Sequence, residues 1–220
     1  MDFAIYDMDR TVTRHATYTP FLLHCARRRA PWRLVLLPLV IASMLAYVLK
    51  FIDRGKLKEI NHRLLLGHKR HPHELKPLVE SFARATIESN IRPGARAAIA
   101  RDKAEGRRVV MATASYRLYA EAIAARLGFD DVIGTGSIIG LDERVHAKID
   151  GDNCYGPAKL RMVTEWLAKS GIERGHVRFY SDHASDAPVF EWADEAIAVN
   201  PHDRLARLAR ERGWKTEDWG

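Results

Sequence analysis

The sequence predicts an α/β fold: a doubly wound, Rossmann-like parallel sheet with an inserted all-helical cap. From residue 93 onward, short apolar runs alternate with helical patterns, the order that builds a parallel sheet with helices on both faces. A first apolar run, Phe3 to Tyr6, stands apart, and the pattern from about Phe21 to Ser89 is helical. We therefore predict a core of residues 1–13 and 93–220 and a cap of residues 14–92.

The core elements follow from local signals in chain order. Continuous apolar runs predict four buried strands, at 3–6, 108–112, 177–180 and 196–199. Helical patterns, several of them opened by Pro or followed by Gly, predict helices at 93–106, 116–127, 157–169 and 203–212. A small hairpin is expected at 137–149.

The composition is that of an ordinary folded protein. The 220 residues are 47% hydrophobic and 29% charged, which excludes a disordered or low-complexity chain. Two cysteines, Cys25 and Cys154, cannot build a disulfide framework, so we expect a reducing compartment. The first residues have neither the basic nor the apolar region of a signal peptide, and a cytoplasmic location is expected.

Positive charge is concentrated in the predicted cap. Residues 14–92 contain 15 basic and 5 acidic residues, whereas the rest of the chain contains 20 basic and 23 acidic residues. The overall net charge of +7 would by itself suggest a nucleic-acid partner. Few aromatic residues lie among the basic ones and no nucleic-acid motif is present, so nucleic acid is not an expected partner.

Polar residues cluster at the predicted carboxyl ends of the strands, where open parallel sheets place their sites. Each of them follows a strand or opens a helix: Asp7, Asp9, Arg10, Thr113, Ser115, Lys159, Asp182 and Asp186. Taken alone, each has an ordinary role as a solvated turn, a helix cap or a surface lysine. Because they occur together and in this order, we interpret them as one site.

The aspartates of this set favour phosphoryl transfer assisted by a hard cation. Carboxylate oxygens suit Mg²⁺, which also takes water and substrate phosphate as ligands. A carboxylate such as Asp7 can attack phosphorus to form an aspartyl phosphate, and Asp9 can act as general acid and base. Thr113 and Lys159 can bind the transferring phosphoryl oxygens.

These motifs resemble the haloacid dehalogenase superfamily, in its phosphoserine phosphatase-like subfamily. The resemblance lies in D-x-D-x-T at Asp7, a Thr after the next strand, a Lys, and D-x-x-x-D at Asp182. It implies that Asp7 is the nucleophile and a metal ligand, and that Asp9 is the acid and base, with its carbonyl on Mg²⁺. Asp182 would be a further metal ligand, and Asp186 would hold a metal-bound water.

The resemblance also bears on the substrate. The acid at Asp9 implies phosphoester hydrolysis, because the dehalogenase branch lacks it. Ser115 and Arg10 are expected to contact the substrate, the alternative for Arg10 being that its side chain turns outward. Arg10 stands where the family often has Gly, and Ala114-Ser115 stands where phosphoserine phosphatases have Gly-Gly. The second departure weakens phosphoserine as the expected substrate.

The cap contains one long apolar run, Leu34 to Leu49, with basic residues on both flanks. Those before it are Arg27, Arg28, Arg29 and Arg33, and those after it are Lys50, Arg54, Lys56 and Lys58. As a helix it would span roughly 24 Å, less than the roughly 30 Å of a hydrocarbon core. A single crossing would also put Asp7 and Lys159 on opposite sides of the membrane. We therefore expect the run to lie in the membrane interface, to enter and return near Pro38, or to be buried in the cap or a dimer.

The cap histidines do not suggest a metal site. His62, His68, His71 and His73 contain no pair at the i,i+4 spacing of a helix, so we expect them on the surface.

The layout of the chain also resembles the C-type phosphatidylglycerophosphate phosphatases. The matching segments are Phe21-Leu22-Leu23, the arginine cluster after it, Leu36-Leu37-Pro38-Leu39 and Tyr180-Ser181-Asp182. This resemblance implies dephosphorylation of a lipid head group by a peripheral protein on the inner face of the cytoplasmic membrane. The alternatives are a phosphatase of a soluble, phosphoserine-like ester and a non-catalytic, membrane-binding regulatory module. The complete motif set argues against the last.

Overall fold

An eight-stranded sheet runs through the molecule in a computed structural model that describes all of residues 1–220. The strands are β1 (Phe3–Tyr6), β2 (Lys69–Arg70), β3 (Arg108–Tyr116), β4 (Asp131–Ile139), β5 (Val145–Asp150), β6 (Val177–Ser181), β7 (Glu195–Val199) and β8 (Lys215–Glu217). They lie in the order β2-β5-β4-β3-β1-β6-β7-β8, and only the β4–β5 and β2–β5 pairs are antiparallel. The predicted fold class, a doubly wound parallel sheet, is confirmed.

Nine helices connect and cover the strands. Four lie in the inserted segment: α1 (Tyr18–Arg29), α2 (Leu37–Val48), α3 (Arg54–Leu65) and α4 (Pro72–Ser89). Five lie outside it: α5 (Pro93–Ala104), α6 (Arg117–Leu127), α7 (Pro157–Ser170), α8 (Ala187–Trp192) and α9 (Asp203–Arg212). Proline opens α5 and α7, and Gly128 ends α6 in left-handed backbone, so the local signals act as predicted.

The strand register brings the carboxyl ends of β1, β3 and β6 to one edge of the sheet. Tyr6, the last residue of β1, lies opposite Met111 of β3 and Tyr180 of β6. Alternate side chains of β1 pack against α7, α8 and α9 on one face and against α5 on the other, so this strand is fully buried. The residues that follow the three strands therefore emerge side by side on a rigid base.

The inserted segment packs onto the core through an aromatic cluster. Phe21 of α1, Phe82 of α4 and Tyr119 of α6 contact one another, with ring centroids 4.4 to 5.6 Å apart. Leucines of α3 and α4 join the same apolar cluster. An isolated bridge between Thr13 and Ile91 links the two ends of the insert. The helices of the insert are therefore anchored to the core at α6 and at their chain ends.

The insert departs from the predicted all-helical cap at one place, β2. Gly67, whose φ of +113° lies in the left-handed region, follows the end of α3, and Pro72 opens α4. The short segment between them cannot continue either helix, and Lys69–Arg70 pairs with β5 instead. The cap thereby contributes a strand to the edge of the core sheet.

The apolar run of the cap is mostly uncovered. Residues 31–36 form a 3-10 turn and α2 begins at Leu37, so Pro38 lies in the first helical turn and does not bend a helix. The covered face of α2 includes Ser43, whose hydroxyl donates to Asn61 Oδ1 of α3 at 2.7 Å. By length and composition alone, the stretch Pro31–Val48 could cross a membrane, and 11% of it is buried. Burial inside the cap, one of the predicted positions, does not occur in the single chain.

His62 contradicts the predicted surface position of the cap histidines. Its side chain is buried on α3, edge-on to Tyr116 with ring centroids 5.4 Å apart, and neither ring nitrogen has a hydrogen-bond partner. Burial lowers the pKa of His62 to about 4, with a smaller effect from Arg70, so the ring is neutral at pH 7. The sequence pattern missed it because His62 occupies a core-facing position of α3.

We expect His62 to make folding sensitive to mild acid. Its pKa is lower in the folded chain than in the unfolded chain, so stability present above pH 6.5 is lost as the pH falls toward 4. Between pH 7 and pH 5, the unfolding free energy should fall about 2 kcal/mol more in the native chain than in His62→Phe. Urea titrations at both pH values measure this difference. The exposed control, His68→Phe, should behave like the native chain, and equal losses in all three proteins would contradict the prediction.

Candidate active site

The turn after β1 places Asp7 at the carboxyl edge of the sheet. Asp7 continues the strand in extended backbone, and its N–H donates to the carbonyl of Tyr180 at 2.9 Å. Arg10 adopts a φ of +66°, a left-handed conformation that costs a non-glycine residue about 1 kcal/mol. The amide of Arg10 donates to the hydroxyl of Thr13 at 3.1 Å, which supports the turn. Glycine would adopt this backbone without that cost.

Lys159 joins two of the predicted aspartates. Its Nζ lies 2.7 Å from Asp7 Oδ1 and 2.6 Å from Asp186 Oδ2. The lysine stands in the first turn of α7 and is 2% exposed. Asp186 also accepts a hydrogen bond from the hydroxyl of Ser181 at 2.7 Å. One ammonium thus bridges two buried carboxylates and compensates only part of their combined negative charge.

Thr11 links Asp7 to Asp182. Its hydroxyl lies 3.3 Å from Asp7 Oδ2 and 3.1 Å from Asp182 Oδ1, and it accepts the N–H of Asp182 at 2.9 Å. Because β1 and β6 are adjacent, the loops that follow them meet at this threonine. The T of D-x-D-x-T therefore ties together the two loops that carry the aspartates.

Asp9 is held in a separate hydrogen-bond network toward the cap. Thr17 donates to Asp9 Oδ1 from its amide and its hydroxyl, both at 2.7 Å, and Ser115 donates to Oδ2 at 2.5 Å. The hydroxyl of Tyr119 donates to Ser115 at 2.7 Å. Asp9 is therefore fixed without an ion pair, in contrast to Asp7.

Of the remaining predicted residues, two line the cavity and one does not. Ser115 and Arg10 line the same cavity as Asp7, with Arg10 at its exposed side. Thr113 is fully buried, accepts the N–H of Ser115 at 3.0 Å, and does not line the cavity. Thr113 thus stands behind the site in this structure, and its predicted phosphate contact stays a prediction.

Burial and neighbouring charges alter the proton affinity of the buried groups. The pKa of Asp7 is raised to about 7, chiefly by burial, with the charges of Asp186 and Asp182 acting in the same direction and Lys159 opposing them. Burial alone would lower the pKa of Lys159, but Asp186 and Asp7 raise it above its ordinary value. Burial also raises the pKa of Asp182. The protonation states of Asp7, Asp182 and Lys159 are therefore set by burial and by the charges next to them.

The donor set fits a hard cation such as Mg²⁺. Asp186 Oδ1 is buried and has no hydrogen-bond partner, although its other oxygen has two. An unpaired buried carboxylate oxygen beside Asp7 and Asp182 is suited to a metal ion or to its bound water. No three acidic, histidine or cysteine side chains converge as a ready ligand cluster. A cation here would therefore also need main-chain, water or substrate oxygens.

A cavity of about 390 Å³ opens above Asp7, between the core and the cap. The cap lines it with residues of all of its first three helices: Tyr18, Thr19, Pro20, Met44, Tyr47, Arg54, Leu57, Lys58 and Asn61. The sequence pattern predicted for Arg54 and Lys58 only a position on the flank of the apolar run. Their i,i+4 spacing on α3 was the available signal that they share a face.

Comparison with known proteins identifies the family. A family model described as haloacid dehalogenase-like hydrolase matches residues 4–191. Phosphoserine phosphatase SerB1 of Mycobacterium tuberculosis is 31% identical over 146 residues, which are 66% of this chain and 47% of that protein. A histidinol-phosphatase of Neisseria meningitidis is 26% identical over 144 residues, 64% of this chain and 65% of that protein. The chain spans about half the length of the mycobacterial relative.

A solved structure shares the whole architecture. The crystal structure of a protein of unknown function from Bordetella pertussis Tohama I superposes with a TM-score of 0.87 at 26% identity. The superposition covers 100% of this chain and 99% of that chain. The likeness therefore includes the inserted helices as well as the sheet.

Proposed function

The chain belongs to the haloacid dehalogenase-like hydrolase family, and from this premise we propose that it is a phosphatase that hydrolyses phosphomonoesters at Asp7. The observation that carries the proposal is the buried contact of 2.7 Å between Lys159 Nζ and Asp7 Oδ1 at the carboxyl edge of the sheet. A carboxylate beside an ammonium is arranged to receive a phosphoryl group. The phosphatase names of the mycobacterial and neisserial relatives support the same reaction class.

The proposed reaction has two halves that use Asp7 and Asp9 in turn. In the first, a carboxylate oxygen of Asp7 attacks phosphorus, the ester P–O bond breaks, and Asp9 gives a proton to the departing oxygen. In the second, Asp9 takes a proton from water, the water oxygen attacks phosphorus, and the bond from phosphorus to Asp7 breaks. The alcohol and inorganic phosphate leave, and both aspartates regain their starting states. Lys159 binds phosphoryl oxygen and stabilises its negative charge.

Phosphatases of this family generally use Mg²⁺, and we propose the same cation here. Asp7, Asp182 and the main-chain carbonyl of Asp9 would hold it, and Asp186 would hold a bound water. When bound, the cation supplies positive charge to the transferring phosphoryl group. The unpaired Asp186 Oδ1 supports this assignment.

We expect turnover of p-nitrophenyl phosphate that requires Mg²⁺. Removal of the cation with EDTA should abolish release of nitrophenol, and excess Mg²⁺ should restore it. The reason is that the aspartates around Asp7 cannot all stay ionised beside an anionic substrate without added positive charge. Turnover that is unchanged by EDTA would contradict the metal assignment.

We further propose that the substrate is a phospholipid head group, with phosphatidylglycerophosphate as the first candidate, and that the chain acts peripherally on the inner face of the cytoplasmic membrane. Support comes from large apolar side chains that are exposed around α2: Trp32, Val35, Leu39, Ile41, Leu45, Val48, Leu49 and Phe51. Arginines 27–29 precede them, Arg33 follows Trp32, and these charges suit an anionic lipid surface. Lys58, expected on the opposite flank, is buried beside the cavity.

A soluble phosphomonoester is the second candidate substrate. It is favoured by the names of the phosphoserine and histidinol phosphatases among the relatives. Comparing the kcat/KM for phosphatidylglycerophosphate, phosphatidic acid and phosphoserine separates the two candidates. Preference for phosphoserine would overturn the lipid proposal. If no phosphomonoester is turned over, the remaining alternative is that the chain is a non-catalytic, membrane-binding regulatory module.

We expect Leu45→Glu to weaken binding to anionic vesicles by about tenfold or more, because it puts a charge on the exposed face of α2. Flotation with phosphatidylglycerol vesicles measures the binding. Stability should change by no more than about 0.5 kcal/mol, since this side chain is exposed. Leu141→Glu is the matched control, because Leu141 is exposed but lies in the β4–β5 turn. Equal binding by both variants would contradict the proposal, as would a native chain that forms dimers through this face and ignores vesicles.

A further inference from the structure

Two cations of the cap face the catalytic cavity without an acidic partner. Arg54 and Lys58 lie four residues apart on α3, on the same face of the helix, and both line the cavity that contains Asp7. Lys58 Nζ donates to Asn153 Oδ1 at 2.6 Å and to the carbonyl of Ala114. The guanidinium of Arg54 lies 4.1 Å from the ring centroid of Tyr155. Neither cation forms a salt bridge.

Keeping Arg54 and Lys58 both positively charged in this position costs free energy. Lys58 is 4% exposed, and its pKa is lowered to about 7, chiefly by burial and to a smaller extent by the charge of Arg54, with Asp9 opposing both. Its two hydrogen-bond partners are a neutral amide and a carbonyl, which do not compensate a buried charge. An anion bound between Arg54 and Lys58 would compensate the buried positive charge and reduce the repulsion between the two cations.

The charges around the cavity are divided between its two sides. All of the acidic residues that line it belong to the core: Asp7, Asp9, Asp182 and Asp186. The cap lines the cavity with no Asp or Glu. An amino group on the leaving group would therefore meet two cations and no carboxylate of the cap, whereas an anionic group would be attracted.

We propose that Arg54 and Lys58 form an anion subsite that selects phosphomonoesters whose leaving group carries a second negative charge and no ammonium group. The inference rests on the proposed phosphatase function, because it assigns the transferred phosphoryl group to Asp7. The leaving group then extends toward α3, where a carboxylate or a phosphodiester is bound. Met44 and Tyr47 of α2 line the same cavity, so this subsite adjoins the helix that bears the exposed apolar face.

A panel of four soluble esters tests the charge preference. Glycerol 3-phosphate, 3-phosphoglycerate, phosphoethanolamine and phosphoserine have neutral, anionic, cationic and zwitterionic leaving groups. We expect the kcat/KM for 3-phosphoglycerate to exceed that for glycerol 3-phosphate by about tenfold or more, with phosphoethanolamine the poorest substrate. Glycerophosphoglycerol phosphate, assayed beside its diacyl form, distinguishes a soluble anionic ester from a lipid head group.

Variants of Arg54 and Lys58 test whether these residues cause the preference for an anionic leaving group. Arg54→Gln and Lys58→Met should each lower the kcat/KM for 3-phosphoglycerate by about tenfold or more, and change that for glycerol 3-phosphate by less than about threefold. Arg63→Gln and Lys56→Met, exposed residues of the same helix, are the matched controls. Arg54→Gln keeps the test valid if the buried Lys58→Met fails to fold. Arg54→Lys should retain part of the preference.

The outcomes separate this inference from the function on which it rests. Turnover of glycerol 3-phosphate with no preference for the anionic ester, or with preference for phosphoethanolamine, overturns the anion subsite and leaves the phosphatase intact. Loss of activity on both esters in equal proportion in Arg54→Gln would also overturn it. No turnover of any ester, including p-nitrophenyl phosphate, would overturn the phosphatase proposal itself.

Discussion

Asp7→Asn should abolish phosphatase activity while leaving the fold intact. The amide of asparagine is not a nucleophile toward phosphorus, so we expect the kcat for p-nitrophenyl phosphate to fall by at least about 10³-fold. The substitution is isosteric, and Lys159 keeps its bond of 2.6 Å to Asp186, so no buried charge is left without a partner. It also removes one of several carboxylates that repel one another. The unfolding free energy should therefore change by less than about 2 kcal/mol.

The measurement pairs steady-state turnover with thermal unfolding of the same preparations. Asp152→Asn is a suitable control, because Asp152 is exposed and its ion pair with Arg161 lies on the surface. An Asp7→Asn chain that folds and retains turnover would contradict the nucleophile assignment. A chain that fails to fold would contradict the expected tolerance of the site.

Lys159→Met should reduce both activity and stability. Removing the ammonium leaves Asp7 and Asp186 buried without their shared cation, and breaking a buried ion pair costs about 3–5 kcal/mol. Activity should fall by about 10²-fold or more, because the phosphoryl group loses its main protein cation. Lys169→Met, at the exposed end of the same helix, is the control and should lower neither activity nor stability.

The stability loss in Lys159→Met should depend on pH in a defined direction. The pKa of Asp7 is about 7 with Lys159 in place, and it is higher in the variant because the lysine no longer lowers it. At Asp7 the folded variant then binds more protons than the unfolded chain, so the stability it lacks relative to the native chain is partly regained as the pH falls from 8 to 5. Urea titrations across this range, done without Mg²⁺, measure the slope relative to the native chain. A stability loss that grows toward pH 5 would contradict the assigned charges.

The sequence predicted four strands, β1, β3, β6 and β7, from continuous apolar runs, and each of these ends near polar residues. It also predicted β5 and the second half of β4 as a hairpin. The first half of β4 was missed because Gly134 and Gly136 flank Thr135 and break its apolar pattern. β2 and β8 are two and three polar residues long, and their strand structure depends on pairing with β5 and β7.

The site was predictable where its residues follow strands. Asp7 and Asp182 lie together because the parallel strands before them end at one edge, and that edge can be read from chain order. Lys159 and Asp186 join them from the starts of α7 and α8. The contact of Lys58 with Asn153 depends on how the cap rests on the core, which no local pattern specifies. His62 is buried for the same reason, since only the packing of α3 decides which residues face Tyr116.

The short edge strands also affect how the protein behaves at high concentration. An eight-stranded sheet with long, bare edges would be a template for pairing with other copies of itself. Here the outermost strands are Lys69–Arg70 and Lys215–Glu217, so an incoming strand would find only two or three residues to pair with. The first of these edges carries only positive charge. We therefore expect self-association through the sheet to be suppressed, leaving the apolar face of α2 as the part of this chain that must be covered to keep it in solution.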